Sequence, residues 1–176
     1  MSNIKSKKLF LAITFLFVIL IIGSVIYFSQ KSRENAVYNQ LLEDTVSEVA
    51  VINDLSEFGG LHLLAIPPRE FNASINNYIG GQVEPGTYYC SLFKQDTCIT
   101  HISLQSKEMN LMGICVGDQI EDAQVILSEH NYEVTDNVDY RYAKAYITII
   151  FDVEENGVIE EITVSIVDPR AVQAIY

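Results

Sequence analysis

An α+β domain held behind one membrane-spanning helix is what this sequence predicts. A long uncharged apolar run opens the chain. Beyond it, short alternating apolar segments are punctuated by Gly, Pro and Asn-Gly turns, with stretches of helical spacing between them. From residue 61 onward these segments fall twice into the order strand, helix, hairpin. The expected fold is therefore two degenerate repeats, 61–105 and 109–167, packing their helices on an antiparallel sheet.

Leu9 to Phe28 reads LFLAITFLFVILIIGSVIYF and carries no charge. At about 1.5 Å per residue, a helix of this length crosses the roughly 30 Å hydrocarbon core of a bilayer. The run exceeds the roughly 7–15 residues of a signal-peptide core, and no A-x-A-like cleavage site or lipid-acceptor Cys follows it. An uncleaved anchor over 9–28 is thus expected in preference to a cleaved signal. Lys5, Lys7 and Lys8 precede the span, against Lys31 and Arg33 beside Glu34 after it. That bias places residues 1–8 in the cytoplasm and the rest outside. All 23 acidic residues follow the span, with eight of the 11 basic ones, so the exported part carries a charge of −15. Such a surface disfavours nucleic acid and anionic lipid, and attracts cations or basic partners.

Residues 29–60 form the predicted juxtamembrane helix and linker. Within 31–56, Val37, Leu41, Val49 and Ile52 fall near helical spacing, a stripe suited to packing on the domain or to self-association. Gly59-Gly60 ends it. The domain is expected over 61–176, with 61–66 (LHLLAI) as a strand. Pro67-Pro68 then opens a helix through Tyr78, with Phe71, Ile75 and Tyr78 on one face. GTYYCSLF and TCITHISLQ, joined through KQD, read as a hairpin with Cys98, Thr100, Ile102 and Leu104 on one side. In the second unit, 111–116 is the strand. Asp118 with Glu121 resembles a capping box, and the helix runs to about His130, burying Ile120, Ala123 and Leu127. Ala145, Ile147, Ile149 and Phe151 alternate toward a turn at Glu155-Asn156-Gly157, after which Ile162, Val164 and Ile166 point inward.

The second unit carries a family likeness. Ile114-Cys-Val-Gly117-Asp118-Gln-Ile-Glu121-Asp122-Ala123 matches an apolar-x-x-Gly-polar-x-x-acidic helix start, followed by a sheet ending in Ile162 to Ile166. This resembles the repeat of the SmpA/OmlA outer-membrane-assembly lipoproteins and of the beta-lactamase inhibitor protein, over residues 109–167 and more faintly 61–105. The chain departs from the lipoproteins in having no lipid-acceptor Cys and a spanning anchor. The resemblance implies a helix-on-sheet module used for protein–protein contact, with no catalytic residue.

The residues themselves point to no reaction. Asp152, Glu154, Asn156 and Gly157 mimic positions one, three, five and six of a calcium loop, but Thr163 stands where a bidentate carboxylate is needed. A cation-dependent hydrolase using the acidic 152–161 turn is the alternative reading to a binding module. Cys90, Cys98 and His101 suggest zinc, yet an odd step between 98 and 101 turns them to opposite faces of a strand, so no metal site is expected. Cys90 and Cys98 bracket the first hairpin turn. They form either a disulfide, permitted outside the cytoplasm, or two small buried apolar side chains. His62, His101 and His130 are the available imidazoles. His62 and His101 are expected on the solvent face and His130 at a helix C-terminus, and no nucleophile elbow or phosphate loop accompanies them.

Tyr140, Tyr142 and Tyr146 share parity in VDYRYAKAYIT, beside Arg141. Together they form either a binding face for an envelope protein or glycan, or an ordinary cross-strand aromatic surface. The expected function is a non-enzymatic, membrane-anchored module of the cell envelope, needing no cofactor.

Overall fold

The computed structural model describes residues 2–66, 73–75, 78–84, 87–91, 98–136 and 140–166, with side chains described at 17, 19–66, 98–135 and 140–166. Among the described residues the chain is α+β, with two helices, an eight-stranded antiparallel sheet and a two-stranded one. It divides into two compact units, residues 1–40 and 41–176.

The first unit is helical. Helix α1 spans Ser2–Leu55, its last fifteen residues belonging to the second unit. Among the described residues no helix is long and apolar enough to cross a membrane. Residues 9–16 and 18 of the 9–28 run lie outside the described side chains. From Phe17 to Phe28 the apolar side chains that are described stand exposed.

In the second unit the elements after α1 are β1 (Ala73–Ile75), β2 (Tyr78–Glu84), β3 (Thr87–Ser91), β4 (His101–Leu104), β5 (Asn110–Leu111), β6 (Ile114–Cys115), α2 (Ile120–Glu129), β7 (Glu133–Asp136), β8 (Arg141–Lys144), β9 (Ile147–Val153) and β10 (Ile159–Ile166). Strands β5 and β6 form their own small hairpin. The others make one sheet in the order β1-β2-β3-β4-β10-β9-β8-β7, every pairing antiparallel. It consists of two four-stranded meanders joined where the last strand of each, β4 and β10, lie side by side.

Alternation decides which face is buried. Ile102 and Leu104, Ile162 and Val164, and Ile147, Ile149 and Phe151 share one face and are buried. They pack with Ile120, Ala123 and Leu127 of α2 and with Val49 and Ile52 of α1 in one core. Burying each such side chain contributes roughly 1.5–3 kcal/mol. The expected inward sets in β4, α2, β9 and β10 are those observed, except that Ala145 lies in a turn with φ 51°.

Several expectations are corrected. Stretch 61–66 is not a strand. Leu61 and Leu63 are buried, and the Asn53 amide of α1 pins Leu63 through both backbone groups, at 3.0 and 2.9 Å. Leu64 and Ala65 exchange backbone bonds with Ile99. The region read as a helix from Pro67 to Tyr78 holds strand β1 and the start of β2, so the strand-helix-hairpin order is not repeated there. Residues 67–72 and 76–77 lie outside the described residues. Stretch 111–116 turns back on itself at Met112-Gly113, both at positive φ, rather than joining the sheet. The domain begins at residue 41, not 61, because α1 supplies part of its core. The 31–56 stripe thus packs in part on its own chain, although Val37 remains exposed.

Helix α2 is started by its surroundings. Its N-cap is Gln119 without a side-chain cap. Asp118 Oδ2 instead accepts from Cys115 N at 2.7 Å, closing the preceding turn. The first orphan amide, Ile120 N, donates to Gly157 O at 2.9 Å. Gly157 suits that place. It holds φ 84°, and a Cβ there would meet Gln119 Oε1 at 3.1 Å.

A buried polar cluster fastens α1 to the domain. Glu48, 5 % exposed, pairs with Lys144 Nζ, which also donates to His130 O at 2.8 Å and sits 5.6 Å from the Tyr132 ring centre. Glu48 Oε1 and the Tyr132 hydroxyl are buried without hydrogen-bond partners among the described residues. Burial, and behind it the Glu48 charge, push the Tyr132 phenol well up. Removing the ammonium leaves a buried carboxylate uncompensated, so Lys144→Met is expected to cost about 3 kcal/mol in denaturant unfolding. Introducing Glu48→Met as well should recover much of that loss. Ile52→Ala should cost about 2–5 kcal/mol by the same measurement, as expected if α1 is part of the folding unit rather than a linker.

Candidate functional site

The face of the sheet opposite the core is polar and half-exposed. Along β4, β10, β9 and β8 it aligns Ser103, Thr163, Ile150 and Arg141 in one row of cross-strand partners. A neighbouring pair places Asp152 of β9 directly across from Glu161 of β10. Between these rows lies an open cleft of 360 Å³ whose walls include Tyr140, Arg141, Asp152, Glu161 and Thr163.

The cleft is built from both rigid and strained backbone. β9 and β10 are the longest strands of their meander and pair Asp152 with Glu161 next to a β-bulge between Ile159 and Glu161. Glu161 is positioned further. Ser103 Oγ donates to its Oε1 at 2.6 Å, Gln105 Nε2 to its Oε2 at 2.7 Å, and Thr163 Oγ1 to Oε1 at 3.3 Å. Tyr140 has φ 43°, a costly conformation for a non-glycine residue, and its carbonyl accepts from Phe151 N at 3.3 Å.

The tyrosine face foreseen in the sequence is split. Tyr142 lies opposite Ile149 and is buried, its ring meeting Phe151 edge-on at 5.8 Å and 74°. Burial raises its phenol pKa. Tyr146 falls in the two-residue turn after β8, partly buried against the core, with its amide donating to Thr45 Oγ1 at 3.2 Å. Tyr140 and Arg141 both line the cleft, Tyr140 also packing partly buried against the core. Asp152 and Glu161 lie within the acidic 152–161 turn offered above for a cation, yet neither they nor Thr163 were placed beside Tyr140 and Arg141. Their signal was present, as the polar positions alternating with Phe151, Ile162 and Val164.

The other candidate residues remain apart. His62 is exposed. His130 caps α2 as expected. Cys98 is buried and Cys115 partly so, its thiol raised by burial and then by the Asp118 charge, which leaves no reactive thiolate there. Register sets His101, rather than Cys98, across from Cys90, and the Cys90 side chain lies outside the described residues. In the acidic turn, Asn156 is already used: its Oδ1 accepts from Val158 N and its Nδ2 donates to Glu154. Glu160 is fully exposed, its pKa raised by desolvation and by Glu154 and Asp152. Among the described residues no group of three or more His, Cys, Asp or Glu could hold a metal ion.

His101 is half-buried rather than solvent-facing, with Nδ1 3.0 Å from Thr100 Oγ1, and burial lowers its pKa to about 4. The fold thus favours the neutral ring. The resulting stability is complete above the ordinary value of 6.5 and is lost as pH falls through that value toward 4. His101→Gln should remove on the order of 2 kcal/mol of acid-dependent destabilisation in that window, measured as the difference between the two proteins' unfolding free energies against pH. Compared with known proteins, the chain matches no family model, no curated protein and no solved structure.

Proposed function

We propose that this chain is a single-pass membrane protein whose outer domain is a non-enzymatic binding module of the cell envelope. A segment of an envelope protein or a glycan would occupy the cleft beside Tyr140 and Arg141. The cleft carries this reading. It is a concave site on a strand-built face, with one aromatic wall and fixed polar groups, the chemistry by which non-catalytic sites orient a ligand. The role agrees with what the SmpA/OmlA likeness of 109–167 implies.

Placement rests on sequence. The uncharged 9–28 run is long enough to span a bilayer, and the lysines before it favour a cytoplasmic N-terminus. The charge of the exported part disfavours nucleic acid as a partner. The test is photocrosslinking in native membranes from position 141, with position 37 on α1 for comparison. Capture of an envelope protein or glycan from 141 alone is expected, together with cleavage of the domain only by protease added outside. Capture from 37 but not 141, or a domain protected from external protease, would overturn the proposal.

A further inference from the structure

Helix α1 meets the domain through two unlike stretches. Over 49–56 the contact is apolar and clasped. Val49 and Ile52 are buried, Asn53 holds both backbone groups of Leu63, and Ser56 Oγ accepts from Met112 N at 2.9 Å. Just beyond, Glu57 exchanges two backbone bonds with Asn110. Over 45–48 the contact is polar, with Thr45 and Glu48 as the buried side chains. Thr45 Oγ1 donates to Leu41 O at 2.6 Å and accepts from Tyr146 N at 3.2 Å, while Glu48 pairs with Lys144. Water competes for this second stretch. Glu48 Oε1 and the Tyr132 hydroxyl, buried without hydrogen-bond partners among the described residues, would gain them from it. So would both members of the ion pair, whose burial cancels much of their attraction. The Lys144 side chain is already 32 % exposed, which gives water a way in. Detaching Val49 and Ile52 instead returns apolar surface to water with no such recovery.

We infer that residues 45–48 of α1 are a latch that opens from β8 while 49–55 stay seated, so that the helix pivots on its C-terminal end without the domain unfolding. At 1.5 Å per residue Thr45 lies about 10 Å along the helix from Ile52, and a tilt of about 20° would carry it roughly 4 Å. That displacement breaks its bond to Tyr146. Lys144 keeps its second acceptor, His130 O, when the latch opens, so β8 and α2 remain joined. Leu42, partly buried against the core, is the apolar contact that opening gives up. The latch grips the end of β8 opposite Arg141, and it works whatever occupies the cleft.

Two backbone amides report the two stretches separately: Tyr146 N donates to Thr45, and Leu63 N donates to Asn53. Amide-resolved hydrogen exchange of the full chain in detergent micelles is followed against denaturant. Relative to intrinsic rates, Tyr146 should exchange at least about tenfold faster than Leu63. Its rate should stay nearly flat at low denaturant, because a pivot exposes little surface. Glu48→Met with Lys144→Met exchanges the ion pair for apolar packing and should slow Tyr146 at least about tenfold, toward Leu63. If that variant does not fold, Glu48→Gln takes its place and should quicken Tyr146 at least about tenfold. Equal protection of the two amides with one shared denaturant slope would mean that α1 docks as one piece, and would overturn the inference. So would a Tyr146 amide better protected than Leu63. A Tyr146 rate that neither slows in the double variant nor quickens in Glu48→Gln would overturn it too, since the turn itself would then be fraying.

Discussion

The pairing of β4 with β10 is the constraint on which the rest of the domain depends. It joins two meanders into one sheet through contacts between residues 58 positions apart, as between Ser103 and Glu161. Its register sets Ile162 against Leu104 and Thr163 against Ser103. A slip of one residue would turn isoleucines outward and carboxylates into the core. The core face and the cleft face are therefore two results of one alignment. Such distant pairing gathers its hydrogen bonds only after a long loop has closed, which favours slow folding.

The helices answer to that sheet. α2 has an apolar stripe of the right period, yet its first turn is satisfied by the β9–β10 turn and not by its own Asp118. α1 contributes Val49 and Ile52 to the core beside the Glu48–Lys144 pair. That pair is no simple gain in stability, since removing two charges from water costs much of what their attraction returns. What it adds is definition. The ammonium also reaches the carbonyl that ends α2, so one side chain holds both helices to β8.

Legibility followed the length of each element. β9, β10 and α2 span seven to ten residues each, long enough for period two or 3.6 to emerge, and the Asn-Gly turn marked where the hairpin bends. Errors gathered in short pieces and in β2, seven residues long, whose Gly80-Gly81 has no side chains to show an alternation. Phe71, Ile75 and Tyr78 have helical spacing, but Ile75 and Tyr78 instead close a hairpin as paired residues. The segment 111–116 looked continuous because a Met at φ 51° gives no warning of a turn. The candidate site was half visible for the same reason. Tyr140 and Arg141 could be named from composition. The acidic and hydroxyl wall required knowing which strands are neighbours.

Because α1 belongs to the domain core from Leu41 onward, the consequence of a cut depends on where along that helix it falls. Cleavage upstream of Leu41 would shed a domain that keeps its whole hydrophobic interior and its cleft. Cleavage between Val49 and Phe58 would take Val49 from the released piece, with Ile52 following if the break lies beyond it, and open that interior to water. One continuous helix thus carries both a stretch whose loss leaves the core whole and a stretch whose loss opens it.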